Sequence, residues 1–144
     1  MNLSRRLSLE DSLLRQYFHG FHIQDLAGGP NRGVVGTLTT NSGRRYSLWL
    51  PLGSFPLEAP NLYVINPLLY DYHGNPLWEQ GVRSDMHVLS PDQYGHVQIC
   101  HYRDSHWSPD VTLYKIVMKG RIWLEAYESH LRTGQPVDHY IGHM

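Results

Sequence analysis

Cysteine is nearly absent: among 144 residues only Cys100 carries a thiol. That excludes an internal disulfide framework and a zinc site built on clustered thiolates. Charge is scarce too. Charged residues make up 17%, below the roughly 25% usual in soluble domains, and the net charge is −1. With neither sign in excess, there is no electrostatic case for nucleic acid or an anionic membrane as a partner. No run approaches the ~20 apolar residues of a membrane span. The opening Met-Asn-Leu-Ser-Arg-Arg-Leu lacks the apolar stretch of a secretion signal. A phosphate loop, a glycine-rich dinucleotide motif, internal repeats and low-complexity tracts are all missing. A neutral chain of this kind is expected in the cytoplasm.

What is present is the material for a core. Hydrophobic residues make up 41% and aromatics 12%, which is incompatible with disorder and suits one domain over residues 1–144. Leu9, Leu13 and Tyr17 recur at i, i+4 and i+8, and predict one amphipathic helix between about Leu3 and Phe21. Ser8, followed by Glu10 and Asp11, reads as its start and Gly20 as its stop.

The period then drops to two. His22 to Leu26, Gly33 to Thr40, Arg44 to Leu52 and Asn61 to Asn66 read as strands, with Asn41-Ser42-Gly43 as a hairpin signal. Phe55-Pro56 and Ala59-Pro60 bracket a loop whose prolines cannot donate to a central ladder. Periodicity lapses from Leu68 to Ser84, which reads as a long loop. Met86 to Leu89 and His96 to Cys100 are short extended segments around Ser90-Pro91-Asp92. Ser108-Pro109-Asp110 opens a second helix, supplying a capping oxygen, a proline at the first helical position and an acid at the positive end. Leu113, Ile116, Val117, Trp123 and Leu124 lie on its apolar stripe, and Gly134 with Pro136 stops it. The fold class is α+β: an N-terminal helix, an antiparallel meander sheet, a loop-rich stretch around the only cysteine and a C-terminal helix.

Cys100 lies where a short strand gives way to the polar run His101-Tyr102-Arg103-Asp104-Ser105-His106. A lone cysteine by itself reads as a small buried hydrophobe. A strand-to-loop junction, however, is where a reactive side chain becomes accessible, and His101, Arg103 and His106 are placed to raise the thiolate fraction. The order Phe55-Pro56, Ala59-Pro60, strand, loop, Val97-Gln98-Ile99-Cys100, Trp107-Ser108-Pro109 and Thr112-Leu113 resembles the ubiquitin-conjugating enzyme family. That family carries a proline-bracketed loop, an Ile-Cys active site and a Trp-Ser-Pro-x-x-Thr helix start. The short C-terminal part and the run from Trp123 to Leu131 look like its bacterial branch. That branch is found with ubiquitin-like conjugation systems and with antiphage systems built around a cyclic-oligonucleotide synthase.

The resemblance implies a ubiquitin-conjugating-enzyme-like fold and an acyltransferase. Cys100 would accept the C-terminal carbonyl of a ubiquitin-like protein, or of a synthase with a similar tail, as a thioester, and pass it to an amine of an acceptor protein. Exchange of one thioester for another needs no cofactor in this chain, ATP being consumed by a separate activating enzyme. The first helix, with Arg5, Arg6 and Arg15 on its outer face, is where family members meet that enzyme. One departure stands out: the family's His-Pro-Asn tripeptide is missing. The family offset lands on Ser90-Pro91-Asp92, whereas matching the His selects His87 and needs a longer loop. An ionised Asp92 cannot donate to an oxyanion, so its expected roles are to support the loop, orient the amine or take its proton. His101, as a neutral donor or as imidazolium, is the preferred substitute for the missing Asn, with His87 second.

Other constellations carry less. Ten histidines invite a metal reading, but His19 with His22 and His139 with His143 lack an acidic third ligand at helical spacing. Tyr63, Tyr70, Tyr72 and Trp78 read either as an aromatic docking surface or as a cap on the core. Two rivals to the transferase remain. One is a catalytically inert scaffold of the same fold that recruits the activating enzyme or the ubiquitin-like partner. The weaker is a cysteine hydrolase that removes conjugates.

Overall fold

The first helix begins a turn earlier than its sequence signals. In the computed structural model, which describes residues 2–101 and 106–142, α1 spans Leu3–Tyr17, and the side chain of Asn2 caps it by accepting the Arg5 N–H at 2.8 Å. Ser8 therefore lies inside the helix. Glu10 and Asp11 are buried and serve other elements. Asp11 accepts the Ile23 N–H at 2.7 Å and pins α1 to the first strand.

Six antiparallel strands follow: β1 (His22–Gln24), β2 (Gly33–Thr39), β3 (Arg45–Pro51), β4 (Leu62–Asn66), β5 (Val88–Leu89) and β6 (Val97–Ile99). They form one sheet in the order β1-β2-β3-β4-β6-β5. Alternation puts Val34 opposite Leu50 and Leu38 opposite Tyr46, all facing the core, while Thr37 and Ser47 pair on the other face. Gly36 sits on the inner face because the Phe21 ring occupies the space a side chain would need. The stretch predicted as a long loop contains two 3-10 turns, Leu77–Glu79 and Ser84–Met86, so Met86 is not in a strand. Asp71 organises this stretch by accepting the His73 and Asn75 N–H groups, both at 2.9 Å.

The second helix, α2 (Leu113–Thr133), covers the inner face with Ile116, Val117, Trp123 and Leu124 fully buried. Gly120 lets it approach Leu48 and Leu62. Its cap is Thr112, whose hydroxyl accepts the Lys115 N–H, and not Ser108; Pro109 and Asp110 lie ahead of the helix. Gly134 ends it in the left-handed region at φ 81°, as a glycine stop should. A third helix, α3 (Val137–Ile141), occupies the tail that carried no helical signal, held by the fully buried Val137. Among the described residues no helix is long and apolar enough to cross a membrane.

Candidate functional site

β5 and β6 make a two-rung hairpin, Val88 opposite Ile99 and Leu89 opposite Gln98. One residue beyond the last rung, the Cys100 N–H donates to the His87 carbonyl at 2.8 Å. His87 is left-handed, φ 54° and ψ 44°, and closes the preceding 3-10 turn. That turn is tied to α2 by the Trp123 indole N–H, which donates to the Met86 carbonyl at 2.9 Å. It is tied to α3 by the His87 ring, whose Nε2 lies 2.7 Å from the Asp138 carboxylate. Cys100 itself is half-buried, between Ile99 and His101, which are both buried.

His101 is not the cation that would draw a neighbouring thiol toward thiolate. Burial is the main influence and pushes its pKa down to about 4, against hydrogen bonding to the Ile99 and Pro60 carbonyls. Its Nδ1 is 3.3 Å from the Ile99 carbonyl oxygen. At neutral pH the ring is neutral, so of the two expected forms imidazolium is removed. His106 is exposed, and Arg103 lies outside the described residues.

Asp92 is brought to the other end of the hairpin. It sits in the turn joining β5 to β6, and four extended residues, ~13 Å, separate His96 from Cys100. Its carboxylate accepts the Tyr94 and His96 N–H groups, both at 2.9 Å, and contacts the His96 ring at 2.8 Å. Burial acts to raise its pKa, but these hydrogen bonds outweigh it and hold the carboxyl below its usual range. Asp92 ties its own turn. Its described hydrogen bonds all lie within that turn, and none reaches Cys100. The residue whose backbone stands beside Cys100 is His87.

One charged neighbour of the cysteine carried no sequence signal. Lys119, on α2, donates from Nζ to the His101 carbonyl at 3.1 Å. Burial lowers its pKa, and so does Lys115, while an attractive interaction with the Cys100 sulfur acts the other way. A sequence separation of 19 residues hides this proximity from any local pattern; only the packing of α2 beneath the sheet end creates it.

A second region forms where α1, the proline loop and the entry to α2 meet. The Trp107 indole N–H donates to the Pro56 carbonyl at 2.9 Å, and its ring packs edge-on against Phe55. Arg6 reaches across to the Pro109 and Val111 carbonyls at 2.7 and 3.0 Å and pairs with Glu10 at 2.8 Å. Arg15 pairs with Asp11. Of the three arginines expected to face a partner, Arg6 is turned inward, while Arg5 and Arg15 stay on the exposed face of α1, Arg15 paired with Asp11. Beside these arginines α1 borders a groove of about 480 Å³ where Leu3, Leu9, Leu13 and Pro56 meet the charged Arg6, Glu10 and Asp110.

Tyr70 and Tyr72 are exposed, whereas Trp78 packs against the core edge. His19 is exposed, and His143 lies outside the described residues. Among the described residues no three His, Cys, Asp or Glu side chains are grouped to hold a metal ion. Comparison of the chain with family models, with curated proteins and with solved structures finds no match.

Proposed function

We propose that the protein is a ubiquitin-conjugating-type acyl carrier of the bacterial branch, with the ubiquitin-conjugating-enzyme-like fold and with Cys100 as its nucleophile. The thiolate attacks the thioester carbonyl presented by an activating enzyme. A new C–S bond forms and the donor sulfur leaves as thiolate. An acceptor amine then attacks the same carbonyl, the C–N bond forms, the C–S bond breaks, and the amine's proton passes to solvent while the Cys100 thiolate departs. The two thioesters are nearly equal in energy, so ATP is spent only by the activating enzyme. The cargo is a ubiquitin-like protein or a synthase with a similar tail, the acceptor is a protein amine, and the setting is a cytoplasmic antiphage system.

The observation that carries this reading is the half-buried Cys100 thiol beyond the end of β6, with the Lys119 ammonium held on the carbonyl of the next residue, His101. A cation there offsets negative charge on sulfur as the thiolate forms and again as it leaves. The contact between Trp107 and Pro56 supports it further, because it makes one unit of the proline loop and the Trp-Ser-Pro segment on which the resemblance rests. The groove on α1 suits the docking of the activating enzyme, through its leucines together with the exposed Arg5 and Arg15 of the same helix. His101 fits a neutral supporting role.

A second reading, the conjugate-removing hydrolase, draws on the His87–Asp138 pair across the hairpin from Cys100, since such enzymes orient a histidine with a carboxylate. One experiment separates them. The protein is incubated with the products of adjacent genes and ATP, with Cys100→Ser and Cys100→Ala in parallel. The carrier gives a reductant-sensitive adduct, a stable oxyester with serine and nothing with alanine. A hydrolase cleaves an ester or amide substrate without ATP, and an inert scaffold gives neither. An adduct that persists with Cys100→Ala overturns the carrier.

A further inference from the structure

We propose that Asp138, in the short helix α3, is a positioning residue for Cys100. By holding the His87 ring it keeps in place the left-handed turn whose carbonyl receives the Cys100 amide. The consequence for acyl transfer rests on the carrier reading; the positioning itself does not.

The backbone at His87 sits in a conformation that side chains disfavour. Apart from glycines, only Asp25 and His87 among the described residues have positive φ. Aspartate and histidine enter this region more readily than most side chains, yet it still costs free energy relative to ordinary φ. A left-handed non-glycine persists only where its surroundings over-determine it. Here His87 donates its N–H to the Ser84 carbonyl at 3.2 Å and accepts the Cys100 N–H at 2.8 Å. The Trp123 indole holds the neighbouring Met86 carbonyl. Any residue at position 87 would make those backbone contacts. The pair with Asp138 at 2.7 Å is the contact that histidine itself adds.

The geometry makes this contact a lever on the nucleophile. Without the ring held, His87 is free to relax toward ordinary φ, which swings its carbonyl away from Cys100. The hydrogen bond beyond the last rung of the hairpin is then the first to go. Asp138 lies on α3, which packs on α2 as well as on the 3-10 turn itself, with its neighbour Val137 fully buried. Its carboxylate is 53% exposed, so the pair adds little to global stability. A local effect without a global one is the signature to look for.

Amide hydrogen exchange followed residue by residue, with Cys100 alkylation beside it, tests the proposal in the wild type, Asp138→Ala and Asp138→Asn. In Asp138→Ala the Cys100 amide is expected to exchange about threefold faster, by local opening, while core amides of β2 and β3 keep their wild-type rates. Asparagine retains an acceptor oxygen for the ring N–H, so Asp138→Asn restores most of the protection, and it serves as the decisive variant if Asp138→Ala folds poorly. The alkylation rate is expected to change in Asp138→Ala and return in Asp138→Asn. Wild-type exchange at Cys100 in Asp138→Ala, or acceleration shared equally by β2 and β3, overturns the proposal. Neither readout needs a partner protein. Failure to form a thioester would sink the carrier and leave Asp138 its role; unchanged exchange would do the reverse.

Discussion

The carboxylate of Glu10 in α1 accepts the backbone N–H of Leu113, the first residue of α2, at 2.8 Å. The two residues are 103 apart in sequence, and the contact joins the ends of the fold. One Glu10 oxygen neutralises an orphan donor at the positive end of α2, and the other pairs with Arg6, which itself holds the Pro109 and Val111 carbonyls. Alanine at position 10 removes a cap and leaves Arg6 without its carboxylate. Glu10→Ala is expected to lose about 3 kcal/mol of stability, and Glu10→Gln, which keeps an acceptor, about 1. Urea denaturation with an unchanged m-value checks both, and a loss in Glu10→Ala no larger than in Glu10→Gln would argue against the double role.

A smaller side chain is demanded at Gly36. A β-carbon built there would stand 2.2 Å from the fully buried Phe21 ring, and that ring has no open side to move toward. Gly36→Ala is expected to destabilise by about 1–3 kcal/mol through overpacking. The same measurement on Gly36→Ala with Phe21→Leu should recover part of the loss, since the double variant returns the space.

His101 gives the protein a defined pH dependence. Its folded pKa is about 4 against the usual 6.5, so the unfolded chain binds a proton that the folded chain refuses. The stability this supplies is complete above pH 6.5 and is lost as pH falls toward 4, by about 3 kcal/mol. His101→Phe should flatten the stability profile across that window relative to the wild type. An equal slope in both proteins would show that the ring titrates normally.

At the thiol, Lys119→Gln removes the nearby positive charge while leaving a polar side chain. Alkylation of Cys100 by iodoacetamide at pH 7 is expected to slow by about threefold, with Lys119→Arg close to wild type. The difference should shrink in high salt, which screens a charge that is only partly buried. Identical rates in all three proteins would remove Lys119 from the account of the site.

The α1 groove gives the docking prediction. Leu9 is 51% exposed, so Leu9→Glu should shift stability by no more than about 0.5 kcal/mol. If the groove takes an activating enzyme, charging of Cys100 falls about tenfold, while alkylation of the free protein is untouched. Normal charging would move the docking surface elsewhere.

Residue patterns alone determined a good deal. The helix at the start, the β2–β3 hairpin, the helix after Trp107 and its glycine stop are all legible, because apolar periodicity and turn residues act over a few positions. Local order also placed the cysteine at the end of a strand. What a local pattern cannot carry is which distant group arrives beside it. Glu10 and Asp11 looked like first-turn acids of α1, and the fold spends them on α2 and β1. Asp92 matched by offset along the chain, yet a hairpin sends its tip away from its base, so eight residues of sequence became the far end of the ladder. Lys119 and Asp138 reached the neighbourhood of Cys100 only when α2 and α3 packed against the sheet. Burial, which lowers the pKa of His101, likewise exists only after the chain has closed over it. Short-range sterics and hydrophobic spacing set the elements; long-range packing chose the electrostatic company of the one thiol.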